Sequence, residues 1–302
     1  MARCCSPTRF SRPSRPPAHE EPAVTTEREE LNVYDYLRHK KKFPHMWCAG
    51  CGIGIVMHAI IRAIHRLGLD KDEVAMISGI GCTGRMPAYL DLNTMHTTHG
   101  RALAFATGLK MARPDMHVLA VMGDGDAVAI GGNHFIHAAR RNIGITAIVV
   151  DNQVYGMTGG QTSPTTPGEL YSATAPYGNI DPPLRICELA QAAGASFGAR
   201  TTVYHARQLD RFIEQGLCKK GFAVVEVASY CHTSLGRMNK LGSAVNMMMQ
   251  LKENSVTPEE AAALPESERA AKIVRGVLFD RDLPEYTERY RELVARAQGL
   301  QK

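Results

Sequence analysis

Residues 118–135 read VLAVMGDGDAVAIGGNHF, and residues 148–161 read IVVDNQVYGMTGGQ. Val118–Met122 is an apolar run without polar interruption, the pattern of a strand buried on both faces of a parallel sheet. It stops at Gly123-Asp124-Gly125-Asp126, where glycines let a ligand come close to the backbone. A helix is expected to follow. In open α/β sheets that edge is where ligands bind, and a helix N-terminus favours phosphate. A second apolar run, Ile145–Val150, ends at Asp151-Asn152, so Asn152 follows Asp124 by 28 residues. One helix and one strand fill that gap, which predicts neighbouring parallel strands joined by a right-handed crossover. The fold class expected is α/β, a parallel sheet flanked by helices.

Asp124 and Asn152 would then present hard oxygens side by side, with the Val154 carbonyl just beyond. Mg²⁺ takes a near-octahedral set of oxygens and usually shares them with a diphosphate and water. A Gly-Asp turn followed by an Asn-capped loop is the plainer alternative, since such pairs are common in turns. Both halves at this spacing, each at a strand end, point to a metal–diphosphate site.

The totals set bounds. With 302 residues the chain is long enough for one large α/β domain or two small ones. Its 44% hydrophobic and 22% charged content is that of an ordinary globular protein. No apolar run approaches the ~18–20 residues needed to span a bilayer. The net charge of +5 is partly local, with nine Lys/Arg against six Asp/Glu in residues 1–42. No basic, aromatic-interleaved stripe runs through the remainder, so neither nucleic acid nor membrane is an expected partner. Residues 1–31, rich in Arg, Pro, Ser and Glu, are expected to be a disordered extension. Residues 1–17 have the acid-free, Arg- and Ser-rich composition of an organelle transit peptide, or of an extension without a role. Cys4 and Cys5 go with them as an inert tail. Arg38-His39-Lys40-Lys41-Lys42 reads as a solvated face, or as a patch that steers an anionic partner.

Eight cysteines and no secretory signal favour metal or cluster ligation in a reducing compartment over a disulfide framework, and a cytoplasmic location. Cys48 and Cys51 lie in His45-Met46-Trp47-Cys48-Ala49-Gly50-Cys51-Gly52, ahead of an amphipathic helix over Ile53–Leu67. A lone Cys-x-x-Cys fits zinc, a redox dithiol or an iron–sulfur cluster. Met76–Ile80 reads as a strand leading to Cys82, and Ala223–Ser229 as a buried strand leading to Cys231. Four thiolates in loops or at strand ends suit either a structural Zn²⁺ or a 4Fe–4S cluster. Cys187 and Cys218 fall in the predicted helices Ile186–Ala193 and Arg207–Leu217, where a cysteine is usually a small buried hydrophobe.

Gly123-Asp124-Gly125 followed by Asn152 resembles the thiamine diphosphate signature of the thiamine enzymes. The run from Gly123 to Gln161 is similar to the β subunit of the 2-oxoacid:ferredoxin oxidoreductases, over roughly residues 44–235. The resemblance implies a thiamine diphosphate-binding fold in which Asp124, Asn152 and the Val154 carbonyl hold Mg²⁺ under the diphosphate. It implies further cofactor contacts from Gly123, Gly125, Asp126, Gly156, Met157, Thr158 and His99. Trp47-Cys48-Ala49-Gly50-Cys51-Gly52, Gly81-Cys82 and Cys231 resemble the family's cluster ligands, implying one 4Fe–4S cluster near the thiamine ring. Phe43-Pro44-His45-Met46-Trp47 resembles the 2-oxoglutarate type more than the pyruvate type, with His45 a candidate for the substrate pocket. Some members carry a lysine where this chain has Gly159, which removes one candidate cation for a substrate carboxylate.

The implied reaction converts 2-oxoglutarate and coenzyme A to succinyl-CoA and CO₂ with reduction of ferredoxin. Thiamine activation also needs a carboxylate against the aminopyrimidine ring. None is evident here, so an α subunit is expected to supply it in an αβ or (αβ)₂ assembly. The alternatives are a pyruvate- or branched-chain-type β subunit, a non-redox thiamine enzyme with structural zinc, and an electron-transfer subunit without thiamine. Residues 94–101, with His96 and His99, are expected to be a lining loop before a helix ending near Met111. Asn133, His134 and His137 are expected on a helix face, and Tyr155–Pro176 is expected to be an irregular functional loop. Residues 32–235 are assigned to the cofactor-binding domain and 236–302 to a helical extension. In the latter, Met247-Met248-Met249 is expected to serve packing or subunit contact, and Tyr286–Ala297 to be a charged helix.

Overall fold

In the computed structural model, which describes residues 30–40 and 44–300, seven strands form one sheet. The elements in chain order are α1 (Ile53–Leu67), β1 (Val74–Ser78), β2 (Asn93–His96), α2 (Ala102–Ala112), β3 (His117–Gly123), α3 (Gly132–Arg141) and β4 (Ile145–Asp151). Then come β5 (Val154–Tyr155), β6 (Gln161–Thr162), α4 (Ile186–Ala193), β7 (Phe197–Thr202), α5 (Ala206–Cys218) and β8 (Ala223–Ala228). The chain closes with α6 (Ala244–Glu253), β9 (Ser255–Val256), α7 (Pro258–Ala262), α8 (Glu266–Ala270), β10 (Ile273–Val274), β11 (Gly276–Asp280) and α9 (Tyr286–Leu300). The expectations for residues 1–29, and for Lys41, Lys42 and Phe43, fall outside the described residues.

The sheet runs β11-β7-β8-β4-β3-β1-β2, and every pairing is parallel except β11 on β7. The central strands alternate their side chains between two cores, as period-two geometry requires. Leu119 and Val121 face the layer of α1 and α5, where Ile60, Ile64 and Ile213 are buried. Val118, Ala120 and Met122 face the layer of α2, α3 and α4, where Phe135 and Ile186 are buried. Because both faces are covered, the strands read as continuous apolar runs. Helix α1 stops at Gly68, whose φ of 64° supplies the left-handed cap that a side chain resists.

The α/β reading and the parallel β3–β4 pair hold. Three regions differ from expectation. Residues 94–96, expected as the start of a loop, belong to the edge strand β2. Its residues are largely exposed and only Met95 is apolar, so they carry no apolar alternation. At the start of the Tyr155–Pro176 region, Val154–Tyr155 pairs with Gln161–Thr162 as the short hairpin β5–β6. The region after residue 235, expected to be helical, also contributes edge strand β11, with Phe279 packed over the bare Cα of Gly198.

Phe135 is fully buried and meets Phe222 edge-on at 5.8 Å, joining α3 to the sheet. Phe135→Ala is therefore expected to lower unfolding free energy by about 3–5 kcal/mol in urea titrations.

Candidate active site

Parallel pairing of Gly123 with Val150 puts Asp124 beside Asp151 and Asn152 at the carboxyl edge of the sheet. The chain leaves β3 through a wide turn over Gly125–Ala129 before α3, the kind of irregularity found at functional sites. Gly125 cannot be larger, since a Cβ there would stand 2.2 Å from the Tyr155 ring. The inward end of the Asn152 amide lies 3.1 Å from Asp124 Oδ1 and 2.9 Å from the Val154 carbonyl oxygen. With NH₂ inward, the amide donates to both. With Oδ1 inward, three oxygens converge, an arrangement stable only around a cation. Mg–O bonds of about 2.0–2.1 Å put adjacent octahedral oxygens about 2.9 Å apart, so these residues fit Mg²⁺.

Behind this trio, Thr165 Oγ1 lies 2.7 Å from Asp124 Oδ2 and 2.7 Å from Asp151 Oδ1. One hydroxyl has one proton and can donate to one carboxylate at a time. Burial raises the Asp124 carboxyl above the ordinary range. Asp151 is raised well above it, first by burial and then by the charges of Asp124 and Glu226.

Asp126 is also buried, and its Oδ1 accepts from His99 Nδ1 at 2.7 Å, Gly100 N at 2.7 Å and Ile80 N at 3.3 Å. This carboxylate therefore ties the β1 loop to the loop before α2, and it fixes the plane of His99. The His99 ring meets Tyr155 edge-on at 6.0 Å. His96 is turned elsewhere, its Nδ1 2.9 Å from Ser78 Oγ.

The sulfurs gather next to this edge. A Cβ on Gly156, two residues beyond Val154, would stand 3.2 Å from Cys231 Sγ and 3.9 Å from Cys82 Sγ. Thr233 Oγ1 stands 3.6 Å from Cys48 Sγ and 3.7 Å from Cys231 Sγ. Burial pushes the Cys51 thiol up to about 11, helped by the charges of Cys82, Cys231 and Cys48. The loops are held by Trp47 Nε1 donating to the Cys82 carbonyl at 2.7 Å and Tyr230 OH donating to the Gly50 carbonyl at 2.8 Å. Sulfurs around one Zn²⁺ stand about 3.8 Å apart. Among the described residues no three His, Cys, Asp or Glu side chains close on a single ion. Cys48, Cys51, Cys82 and Cys231 come from three separate loops at this edge.

Residues 79–227 match the family described as thiamine pyrophosphate enzyme, C-terminal TPP binding domain. The chain is 48% identical over 261 residues to the 2-oxoglutarate synthase subunit KorB of Methanocaldococcus jannaschii, covering 86% of this chain and 96% of that one. The chain belongs to the KorB family of 2-oxoglutarate:ferredoxin oxidoreductase β subunits. The KorB protein of Archaeoglobus fulgidus is 52% identical over 220 residues, which cover 73% of this chain and 80% of that one. The 2-oxoglutarate:ferredoxin oxidoreductase of Magnetococcus marinus, solved with 2-oxoglutarate, coenzyme A and succinyl-CoA bound, superposes with a TM-score of 0.79 at 32% identity. The match covers 90% of this chain and 93% of that one.

In this KorB-family chain Asp124, Asn152 and Val154 come together, with Gly123, Gly125, Tyr155 and Gly156 around them. Met157 and Thr158 lie at the exposed tip of the β5–β6 turn, where Thr158 Oγ1 donates to Gln161 Oε1 at 2.6 Å. His45 belongs to the cysteine loop, with its ring 4.8 Å from that of Trp47. Cys187 is fully buried as expected, whereas Cys218, at the last position of α5, is exposed because the helix ends there. Asp151 and Thr165 were not singled out from the sequence. The double Asp at two adjacent strand ends was a usable signal for Asp151, and nothing marked Thr165.

A carboxyl raised in the fold contributes stability below its unfolded pKa near 3.8, and loses it as pH rises through the folded value. In Mg²⁺-free buffer, Asp151→Asn should therefore gain stability over the unaltered chain as pH rises above about 4. Urea midpoints across pH test this, and a pH-independent difference would contradict it.

Proposed function

We propose that this chain holds thiamine diphosphate, Mg²⁺ and one 4Fe–4S cluster for the reaction 2-oxoglutarate + coenzyme A + 2 oxidised ferredoxin → succinyl-CoA + CO₂ + 2 reduced ferredoxin + H⁺. The observation that carries this is the meeting of Asp124, the Asn152 amide and the Val154 carbonyl, two residues before Gly156 abuts the sulfurs of Cys231 and Cys82. Asp124, Asn152 and the Val154 carbonyl bind the metal, and the Gly123–Asp126 turn and the Gly156–Thr158 segment border the diphosphate. Asp126, accepting from His99 Nδ1, orients the ring and leaves Nε2 as the nitrogen facing that cleft, an acceptor in the neutral imidazole. Thiamine diphosphate, when bound, supplies a nucleophilic carbon and an electron sink for loss of CO₂. Cys48, Cys51, Cys82 and Cys231 hold the cluster, and their ligation displaces thiol protons, including that of Cys51.

Asp124 and Asp151 face the single hydroxyl of Thr165, and Asp126 Oδ1 accepts from His99 and two backbone amides while its Oδ2 is buried without a hydrogen-bond partner. The naming of the relatives as subunits of a larger enzyme supports an α subunit as the source of the carboxylate for the aminopyrimidine. Ile80, Phe105 and Ile130 are 38–51% exposed around the same edge, an apolar rim suited to that subunit. Reduced thiols in this number also favour the cytoplasm. Among the described residues no helix is long and apolar enough to cross a membrane.

The test is a substrate panel on the purified complex with its α subunit, using viologen as acceptor. Coenzyme A-dependent reduction with 2-oxoglutarate, at least about tenfold above pyruvate in kcat/KM, is expected, a gap of ~1.4 kcal/mol in transition-state binding. The β chain alone should show none. Preference for pyruvate, or full turnover by the single chain, would contradict the proposal. Cys231→Ser should lose iron and the broad visible absorption while Asp124→Asn retains both.

A further inference from the structure

One hydroxyl touches two of the four sulfurs. Thr233 lies two residues beyond Cys231, in the wide turn His232–Gly236 that follows β8. Its Oγ1 stands 3.6 Å from Cys48 Sγ and 3.7 Å from Cys231 Sγ, within reach of an O–H···S hydrogen bond to either. Cys48 and Thr233 are 185 residues apart in sequence, so the fold makes this contact. Among the described residues no other serine or threonine hydroxyl comes within hydrogen-bonding reach of Cys48, Cys51, Cys82 or Cys231. Thr233 is exposed, and among the described residues its hydroxyl meets only these two sulfurs. Packing alone does not call for a threonine here.

The turn that carries it is held on both sides. The Gly236 amide donates to the Cys231 carbonyl at 2.9 Å, and Leu235 is buried. A Cβ on Gly236 would stand 2.5 Å from Met247 Sδ, so the turn lies directly on α6. Ahead of the turn, Tyr230 OH donates to the Gly50 carbonyl at 2.8 Å, which ties this segment to the loop of Cys48 and Cys51. The backbone of residue 233 is therefore fixed beside Cys48.

We infer that Thr233 sets the reduction potential of the cluster by donating its hydroxyl hydrogen to a ligating thiolate, that of Cys48 or Cys231. The inference rests on the cluster assignment proposed above. A thiol can donate as well as accept, but ligation displaces its proton. A thiolate only accepts, so the single Thr233 proton then goes to one sulfur or the other. Hydrogen bonds to an ionised acceptor are roughly twice as strong as neutral ones. One-electron reduction adds negative charge that the sulfurs share, so the donor stabilises the reduced cluster more than the oxidised one. Hydrogen bonds to the sulfurs are among the factors that set such potentials. A raised potential eases the arrival of each electron at the cluster and opposes its departure, so Thr233 acts on the balance between the two transfers.

The test is a potentiometric titration of the complete αβ complex with dithionite as reductant, following the electron paramagnetic resonance signal of the reduced cluster. Thr233→Val removes the hydroxyl and keeps the shape, and Thr233→Ser keeps the hydroxyl. Thr233→Val should shift the one-electron reduction equilibrium about tenfold toward the oxidised cluster, a midpoint ~59 mV lower. Thr233→Ser should stay within about twofold of the unaltered complex. Iron content and α-subunit retention should be the same in all three. An unchanged midpoint in Thr233→Val would overturn the inference. So would equal shifts in both variants, since the methyl group or the backbone would then be responsible, and so would loss of iron from Thr233→Val, since the hydroxyl would then serve cluster assembly. Absence of iron from the unaltered complex would instead sink the function reading itself, and the role of Thr233 with it.

Discussion

Two carboxyl groups with one hydroxyl between them, buried at the tips of adjacent parallel strands, are the constraint from which this site follows. Asp124 and Asp151 share Thr165 at 2.7 Å on each side, in surroundings that penalise charge. Such a pair is stable when protons or a cation offset it. The arrangement exists because β3 and β4 are parallel neighbours in register, with Gly123 opposite Val150. Antiparallel strands would send the two acids to opposite ends of the sheet. In the function proposed above, the Asn152 amide and Val154 carbonyl complete the oxygen face that these acids offer to a divalent ion.

The second constraint is the junction at Gly156. The strand that offers the Val154 carbonyl to one side continues, within two residues, past the sulfurs of Cys231 and Cys82. A side chain there would press on Cys231 at 3.2 Å, so glycine is what lets the two centres adjoin. Remote parts of the chain are held to this point by hydrogen bonds rather than by sequence proximity. Trp47 donates to the Cys82 carbonyl and Tyr230 to that of Gly50, which ties the cysteine loops to one another. Asp126 does the same for the β1 loop and His99. The oxygen-bearing and sulfur-bearing parts of this edge thus adjoin at Gly156.

Much of this was legible in the sequence because it depends on burial and on strand ends. The runs that became β3, β4 and β8 are apolar throughout, which only a two-sided sheet permits, and the glycines and acids that end them mark the ligand edge. Strand β2 was not legible, because Asn93–His96 is a largely exposed edge in which only Met95 is apolar, with no alternation to read. Thr165 was hidden for a different reason. It lies 41 residues from Asp124, in a loop of Ser, Thr and Pro where any hydroxyl looks like any other. Only the folded path of that loop selects it. Cys218 was misjudged because helix membership says nothing about which residue ends the helix. The choice between one zinc and a cluster was open in the spacing of the cysteines.

Anomalous X-ray diffraction from crystals grown with Mn²⁺ and thiamine diphosphate, collected at the iron, zinc and manganese edges, probes this arrangement directly. The account predicts iron density enclosed by Cys48, Cys51, Cys82 and Cys231, and a separate manganese peak bounded by Asp124, Asn152 and the Val154 carbonyl. A lone zinc peak among the sulfurs, or manganese bound away from Asp124, would contradict it.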